Sequence, residues 1–294
     1  MQQTKENIEK VTKEDVRRVA NKYLQPDKVR ILVVGNVEDF DEPLSVLGTV
    51  NEIDITIPTP KEEMPEATPE SLAKGMEIFT KTVAACGGQK AYASVENYVV
   101  EGSVVISTPQ GEMQATSTMT LVPPDKIQMV LNLPFGEMKQ VLVGDKGWMV
   151  SPQGSRDMPK SQLDGIKGSL FRDWIVLFRL GEADGITSQY LGSGDVDGKA
   201  AEILLVKDQN DNTTKLYVDA STFKPLKQVY NGTTMMGSPA EFEEFYLEIK
   251  DVNGMLLPGK ILVNTNGEKF MEMTYTSTKI NQEIDPAIFQ KIKE

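Results

Sequence analysis

Between Asn97 and Thr278 apolar residues return at every second position, and that period limits the fold more than any other feature of the sequence. Tyr98, Val100, Val104 and Ile106 fall on one side of an extended segment, with Glu101, Ser103 and Ser107 on the other. Such alternation marks strands with one buried face. Pro109-Gln110-Gly111 turns the chain, and Met113, Ala115, Met119 and Leu121 line the returning strand, opposite Gln114, Thr116 and Thr118. Ile127, Met129, Leu131 and Leu133 continue the pattern, followed by Met138–Val143 and Gly147–Val150. Further strands are expected over Ala201–Val206, Leu216–Val218, Leu226–Tyr230, Glu241–Ile249, Met255–Val263 and Phe270–Thr278. Asp197-Gly198, Asn253-Gly254 and Asn266-Gly267 are the dipeptides of tight hairpins. The pattern predicts a long antiparallel meander, and a sheet of this kind needs something on its concave face.

Helices are the candidates to cover it. Thr68-Pro69-Glu70 supplies an N-cap, a first-turn proline and an early acid, and Gly87-Gly88 supplies a stop. Between them Leu72, Met76, Phe79, Val83 and Cys86 recur at steps of three or four. A second helix is predicted over Gln162–Leu180, with Leu163, Ile166, Leu170, Trp174, Ile175, Leu177 and Phe178 as its apolar stripe. Cys86 is the lone cysteine, so the chain makes no internal disulfide. Val83-Ala84-Ala85-Cys86 is similar to a lipobox, but Lys74, Glu77 and Lys81 interrupt the apolar run such a signal needs. Cys86 is expected to be a buried thiol near a helix end.

The first 57 residues follow a different rule. Thr12 caps a helix carrying Val16, Val19, Ala20, Tyr23 and Leu24 at helical spacing, ended by Gln25-Pro26. Lys28–Gly35 reads as a buried strand, Pro43–Gly48 as a short helix and Val50–Ile55 as a final strand. A proline- and acid-rich linker over 58–68 separates this segment from the rest. The fold class is α+β: a small α/β segment over 1–57, then a large antiparallel half-open β-barrel over 69–294 with helices plugging its concave face.

Charge and composition exclude several roles. The chain holds 31 Lys and Arg against 43 Asp and Glu, a net charge of -12. A nucleic-acid partner is disfavoured, because phosphate neutralisation supplies much of that affinity. There are 0 histidines, which removes His-based zinc sites and Ser-His or Cys-His pairs. No catalytic residue, no metal ligand and no cofactor is assigned, and the chain is expected not to be an enzyme. The N-terminus is polar and charged, unlike a signal peptide.

Two resemblances follow from particular stretches. VTKEDVRRVANKYLQPDKVRILVVGNVEDFDEPLSVLGTVNEIDI resembles the C-terminal end of a pitrilysin/insulinase-family zinc peptidase domain, without that family's H-x-x-E-H motif. This implies a non-catalytic tail, with the chain expected to be the C-terminal part of a longer peptidase-like protein rather than an isolated remnant. AACGGQKAYASVENYVVEGSV, LVGDKGWMVSPQGSRDMPKSQL, YVDASTFKPLK and EIKDVNGMLLPGKI, in that order, resemble the outer-membrane lipoprotein carrier (LolA/LolB-like) fold over 69–294. That resemblance implies a periplasmic or cell-envelope half-barrel sheltering a lipid or lipoprotein acyl chain. The other reading is an accessory module of a zinc peptidase that contacts substrate or a partner subunit, with no lipid role.

The candidate cavity residues are Met119, Leu121, Met129, Leu131, Trp148, Leu170, Phe171, Trp174, Phe178, Tyr230 and Phe245. Methionines on the strands, among them Met113, Met138, Met149, Met255, Met271 and Met273, suit varied apolar ligands or ordinary core. Met235-Met236-Gly237 reads as a loop at the cavity mouth. Glu241-Phe242-Glu243-Glu244-Phe245 reads as a strand edge with solvated acids.

Overall fold

A computed structural model describes residues 8–25, 28–35, 40–53, 64–234 and 239–291. Two units emerge, Met1–Pro58 and Thr59–Glu294.

In the first unit, helix α1 spans Lys13–Tyr23. Thr12 and Asp15 form a capping box: Asp15 N–H donates to Thr12 Oγ1 at 3.2 Å, and Thr12 N–H to Asp15 Oδ2 at 3.2 Å. No residue of α1 is buried. Leu44–Leu47 forms a single 3-10 turn after Pro43. The two expected strands are not present among the described residues of 28–35 and 50–53. A strand needs a hydrogen-bonded neighbour, and here the β-branched run lacks one: Leu32 and Val34 are each 80% exposed. Asp54, Ile55 and the linker as far as Glu63 lie outside the described residues, as does Met235-Met236-Gly237.

The second unit opens with helix α2, Pro69–Ala85. Thr68 Oγ1 accepts from Ser71 N–H at 3.1 Å, and Pro69 fills the first turn, where no N–H is needed. Cys86 closes the helix, fully buried, and Gly87 and Gly88 follow with φ of 122° and 88°. The Cys86 carbonyl accepts from Leu256 N–H at 2.8 Å and from the Tyr92 hydroxyl at 2.9 Å. Burial pushes the Cys86 thiol up to about 12. Tyr92 belongs to the short helix α3, Gln89–Ala93.

Six strands follow: β1 Tyr98–Thr108, β2 Gly111–Val122, β3 Lys126–Leu133, β4 Gly136–Val143, β5 Lys146–Ser151 and β6 Gly154–Asp157. Two helices come next, α4 Lys160–Arg172 and α5 Trp174–Arg179. The chain returns with β7 Thr187–Val196, β8 Lys199–Lys207, β9 Thr213–Asp219, β10 Pro225–Thr233, β11 Pro239–Val252, β12 Met255–Thr265 and β13 Glu268–Ile280. Asn and Asp at the three hairpin dipeptides adopt the expected left-handed conformation, with φ of 51°, 57° and 50° at Asp197, Asn253 and Asn266.

The 13 strands of the described residues form one antiparallel sheet in the order β6-β5-β4-β3-β2-β1-β13-β12-β11-β10-β9-β8-β7. Each half is a simple meander, and the halves join where β1 pairs with β13, Tyr98 opposite Ile280. The free edges, β6 and β7, are the two strands whose sequences carry no clear alternation: Gly-Ser-Arg-Asp and a segment containing Gly192 and Gly194. Helix α2 lies on the β7 edge so closely that a Cβ at Gly75 would stand 2.2 Å from the Ser188 carbonyl oxygen. The expected single helix over 162–180 is instead two. Asp173 has an extended backbone, φ -63° and ψ 133°, and its carboxylate Oδ1 accepts from Ile175 N–H at 2.9 Å. That cap starts a new helix.

Candidate functional site

Strand alternation and the α4–α5 break together build one cavity. Tyr98, Val100, Met119, Leu121, Ile127 and Met129 reach it from β1 to β3, and Leu257, Ile261, Met271, Met273 and Tyr275 from β12 and β13. Register puts these residues level: Met119 pairs with both Val100 and Met129, and Leu121 with both Tyr98 and Ile127. Ser169, Leu170, Arg172, Asp173, Trp174 and Ile175 cover it from the helices. The space between is about 300 Å³. A second hollow of about 340 Å³, between Phe135, Met138, Met149 and the Ser151–Arg156 hairpin, gathers none of the candidate residues.

Of the eleven candidates, Met119, Leu121, Met129, Leu170 and Trp174 meet at the 300 Å³ cavity. The other six lie outside its lining. Leu131 is farther along the same face of β3. Phe171 is buried on α4 within the helix–sheet core. Phe178 is buried in an aromatic cluster, 5.4 Å from Tyr92, 5.3 Å from Trp174 and 6.2 Å from Phe79. Tyr230 stands behind the lining, stacked on Phe242 at 5.4 Å. Trp148 and Phe245 project from the opposite face of the sheet, because a shift of one residue reverses the side chain. Trp148 pairs with Val141 and Asp157, and Val141 with Gln128. The C-terminal segment crosses this patch, with Gln128 Nε2 donating to Ile288 O at 2.7 Å and Lys291 on Asp157 at 2.8 Å. Phe245 lies beside Lys227 at 5.0 Å, while its neighbours Glu244 and Tyr246 point into the cavity.

That last placement overturns the expectation of solvated acids for Glu244, whereas Glu241 is exposed and Glu243 pairs with Lys227 at 2.6 Å outside the cavity lining. β11 is an interior strand between β10 and β12, so its inward face is enclosed. Glu244 Oε1 accepts from the Tyr230 hydroxyl and Oε2 from Gln228 Nε2, both at 2.6 Å. The Arg172 guanidinium carbon stacks 3.5 Å over the Tyr230 ring. Burial draws the Arg172 pKa below its ordinary value, with Tyr230 and Glu244 pulling it back up. Across the cavity the Tyr98 hydroxyl donates to Asp173 Oδ2. Desolvation pushes the Asp173 carboxyl up to about 6 against the hydrogen bonds from Tyr98 and the α5 backbone. Burial likewise raises Tyr98, Tyr230, Tyr246 and Tyr275, each helped by a neighbouring carboxylate.

The sequence pattern does not single out these polar groups. Arg172 and Asp173 sit inside an apparently continuous helix, and Glu244 inside an acidic run. The inward parity of Glu244 was available from the alternation of Phe242, Glu244 and Tyr246, all on one face of β11. Among the described residues no group of three His, Cys, Asp or Glu side chains could hold a metal ion.

No protein-family model matches the chain. No curated protein matches it either, so the peptidase likeness of residues 1–57 draws no support from these comparisons. Solved structures do match. A DUF1329 family protein from Desulfovibrio piger superposes with a TM-score of 0.52 at 12% identity, covering 75% of this chain and 97% of that one. A LolA superfamily protein from Nitrosomonas europaea superposes with a TM-score of 0.50 at 16% identity, covering 74% of this chain and 97% of its own. At such identities the likeness is one of fold alone. The large antiparallel sheet, curved around its helices, is the LolA-like half-barrel.

Proposed function

We propose that the half-barrel binds an acyl chain of a lipid or lipoprotein in the cavity between its concave face and helices α4 and α5, in the bacterial cell envelope. The observation that carries this reading is the cavity itself: about 300 Å³, walled by Val100, Leu121, Ile127, Leu170, Leu257 and Ile261, with four flexible methionines among its lining. That volume stands at the lower end of small-molecule sites, roughly 300–1,000 Å³, which are mostly apolar with a few placed polar groups. Each methylene transferred from water into such a space contributes about 0.8 kcal/mol. Methionine, unbranched and polarisable, adapts to chains of differing length. A chain without histidine suits binding rather than acid–base catalysis.

The two tryptophans give a direct test. Trp174 lines the cavity, and Trp148 lies on the other face of the sheet. A brominated acyl chain quenches indole fluorescence on contact. In the W148F variant, which keeps Trp174, titration of delipidated protein with a brominated fatty acyl methyl ester is expected to quench saturably. In the W174F variant the remaining Trp148 is expected to stay bright. Equal quenching of both, or of neither, would reject the cavity as the site.

A further inference from the structure

Charge divides the cavity into two sides. The β1–β3 wall presents Val100, Met119, Leu121, Ile127 and Met129, with no charged side chain. The three charged residues of the lining gather elsewhere: Arg172 and Asp173 at the α4–α5 break, and Glu244 on β11. Such a space suits an amphiphile whose tail lies against the methionines and whose head meets the three charges. One cation stands there against two carboxylates, and the cation is already engaged. Arg172 lays its guanidinium carbon 3.5 Å over the Tyr230 ring and hydrogen-bonds that tyrosine. The carboxylates are held by neutral donors: Glu244 by Tyr230 and Gln228, Asp173 by Tyr98 and the Ile175 N–H. Neutral donors orient a carboxylate without cancelling its charge, so the head side keeps an excess of negative charge.

The two carboxylate fields overlap in this space. Burial is the main cause that raises the Tyr246 and Tyr275 hydroxyls, and both carboxylates add to it. Aromatic rings complete the surround. Tyr98, Trp174, Tyr246 and Tyr275 line the cavity, and the Trp174 and Tyr246 rings meet edge-on at 4.7 Å. Ring faces attract cations, most strongly where water is excluded. A quaternary ammonium needs no hydrogen-bond acceptor, so it responds to charge and rings alone and leaves the bonds of both carboxylates intact. A carboxylate head instead brings a third anion into a wall where like charges are poorly screened.

Resting on the acyl-chain reading, we propose that the cavity selects an amphiphile with a cationic head, a quaternary ammonium, over a carboxylate of the same chain length, and that Asp173 and Glu244 set this preference. The experiment is calorimetric titration of the full delipidated chain with decyltrimethylammonium, 1-decanol and decanoate, each below its micelle concentration. It is run at about pH 8 and about 0.3 M NaCl, where exposed charge is screened beyond roughly 6 Å. Decyltrimethylammonium is expected to bind about tenfold more tightly than decanoate, with 1-decanol between them. The variants D173N and E244Q, each checked for native circular dichroism, are expected to cut that ratio to about threefold, because the shape stays and one charge goes. The native chain is also expected to bind the ammonium about fivefold more tightly at about pH 8 than at about pH 5, and D173N to bind it equally at both. The ligand's charge is fixed, so that change belongs to the wall, where Arg172, Glu244, Tyr92, Tyr98, Tyr246 and Tyr275 surround Asp173. Decanoate binding as tightly as the ammonium overturns charge selection while leaving the acyl-chain site intact. A ratio unchanged in both variants assigns the preference to the acidic outer surface and overturns the two named carboxylates. A pH dependence that survives in D173N overturns the part given to Asp173. Binding by none of the three ligands removes the acyl-chain reading and this inference with it.

Discussion

Asp173 caps one helix, ends another and carries a carboxylate against the cavity. Its pKa is pushed to about 6 because burial penalises the charged form more than its hydrogen bonds reward it. An acid raised above its unfolded value contributes stability that is complete below about pH 4 and is lost as pH rises through about 6. The D173N variant keeps an oxygen for Ile175 N–H and discards the charge. It is therefore expected to gain on the native protein by on the order of 2 kcal/mol between about pH 4 and about pH 7. Urea unfolding of both proteins at the two pH values measures this, and a difference that does not move with pH would show that Asp173 titrates like a surface acid. Cys86 behaves as its sequence context implied, buried on a helix end under a raised pKa. The Asp173 side chain was not legible in the same way. Its neighbours fit one helical stripe, and only the backbone break reveals which way the carboxylate turns.

Helix α2 illustrates what pattern captures and what it omits. Its cap, its first-turn proline and the apolar spacing through Phe79 and Val83 are all visible in the sequence; the structure buries Phe79, Val83 and Cys86, leaves Leu72 and Met76 half-buried, and adds Ile78 and Thr82 to the buried face. Gly75 is not distinguished by any such rule, since mid-helix glycine ordinarily only weakens a helix by about 1 kcal/mol. In the fold it permits the helix to touch the β7 backbone at Ser188 and Gln189. Gly75→Ala is expected to lower stability by about 1–3 kcal/mol despite the better helix propensity, because the added methyl meets backbone that must move. The urea midpoint reads this directly, and a stabilised variant would mean the helix can lift without loss. The strands divide along the same line. Interior ones such as β12, with its strict buried alternation, were read from sequence, whereas edge strands β6 and β7 were not. An edge strand has a ladder on one side only, and the buried positions of β7 against α2 include the polar Ser188 and Gln189, so apolar alternation does not mark it.

Every residue of the buried core cluster, from Ile78 to Val263, belongs to the second unit. A fragment spanning residues 64–294 is accordingly expected to fold with the urea midpoint of the full chain, within about 0.5 kcal/mol, and to retain Trp174 quenching by the brominated ester. A molten fragment would show that the first unit contributes to the fold. The meander could be anticipated because each hairpin is local. The pairing of β1 with β13 could not, since nothing in either strand marks the other as its neighbour. The cavity depends on that distant pairing: Val100 and Met119 come from one half, Ile261 and Met273 from the other. That pairing also fixes how the molecule answers mechanical load. Tyr98 opens β1 directly opposite Ile280, which closes β13, so the half-barrel is held at both ends by the same rung of one ladder. Tension between those ends first loads the hydrogen bonds just outside that rung, Asn281 N–H to Asn97 O at 2.8 Å and Gln282 N–H to Asn97 Oδ1 at 2.9 Å, and then peels the ladder one hydrogen bond at a time, in the geometry of a zip rather than of a shear joint. The sheet would part along the line where its two meanders meet, opening the cavity from the back while each half stays folded.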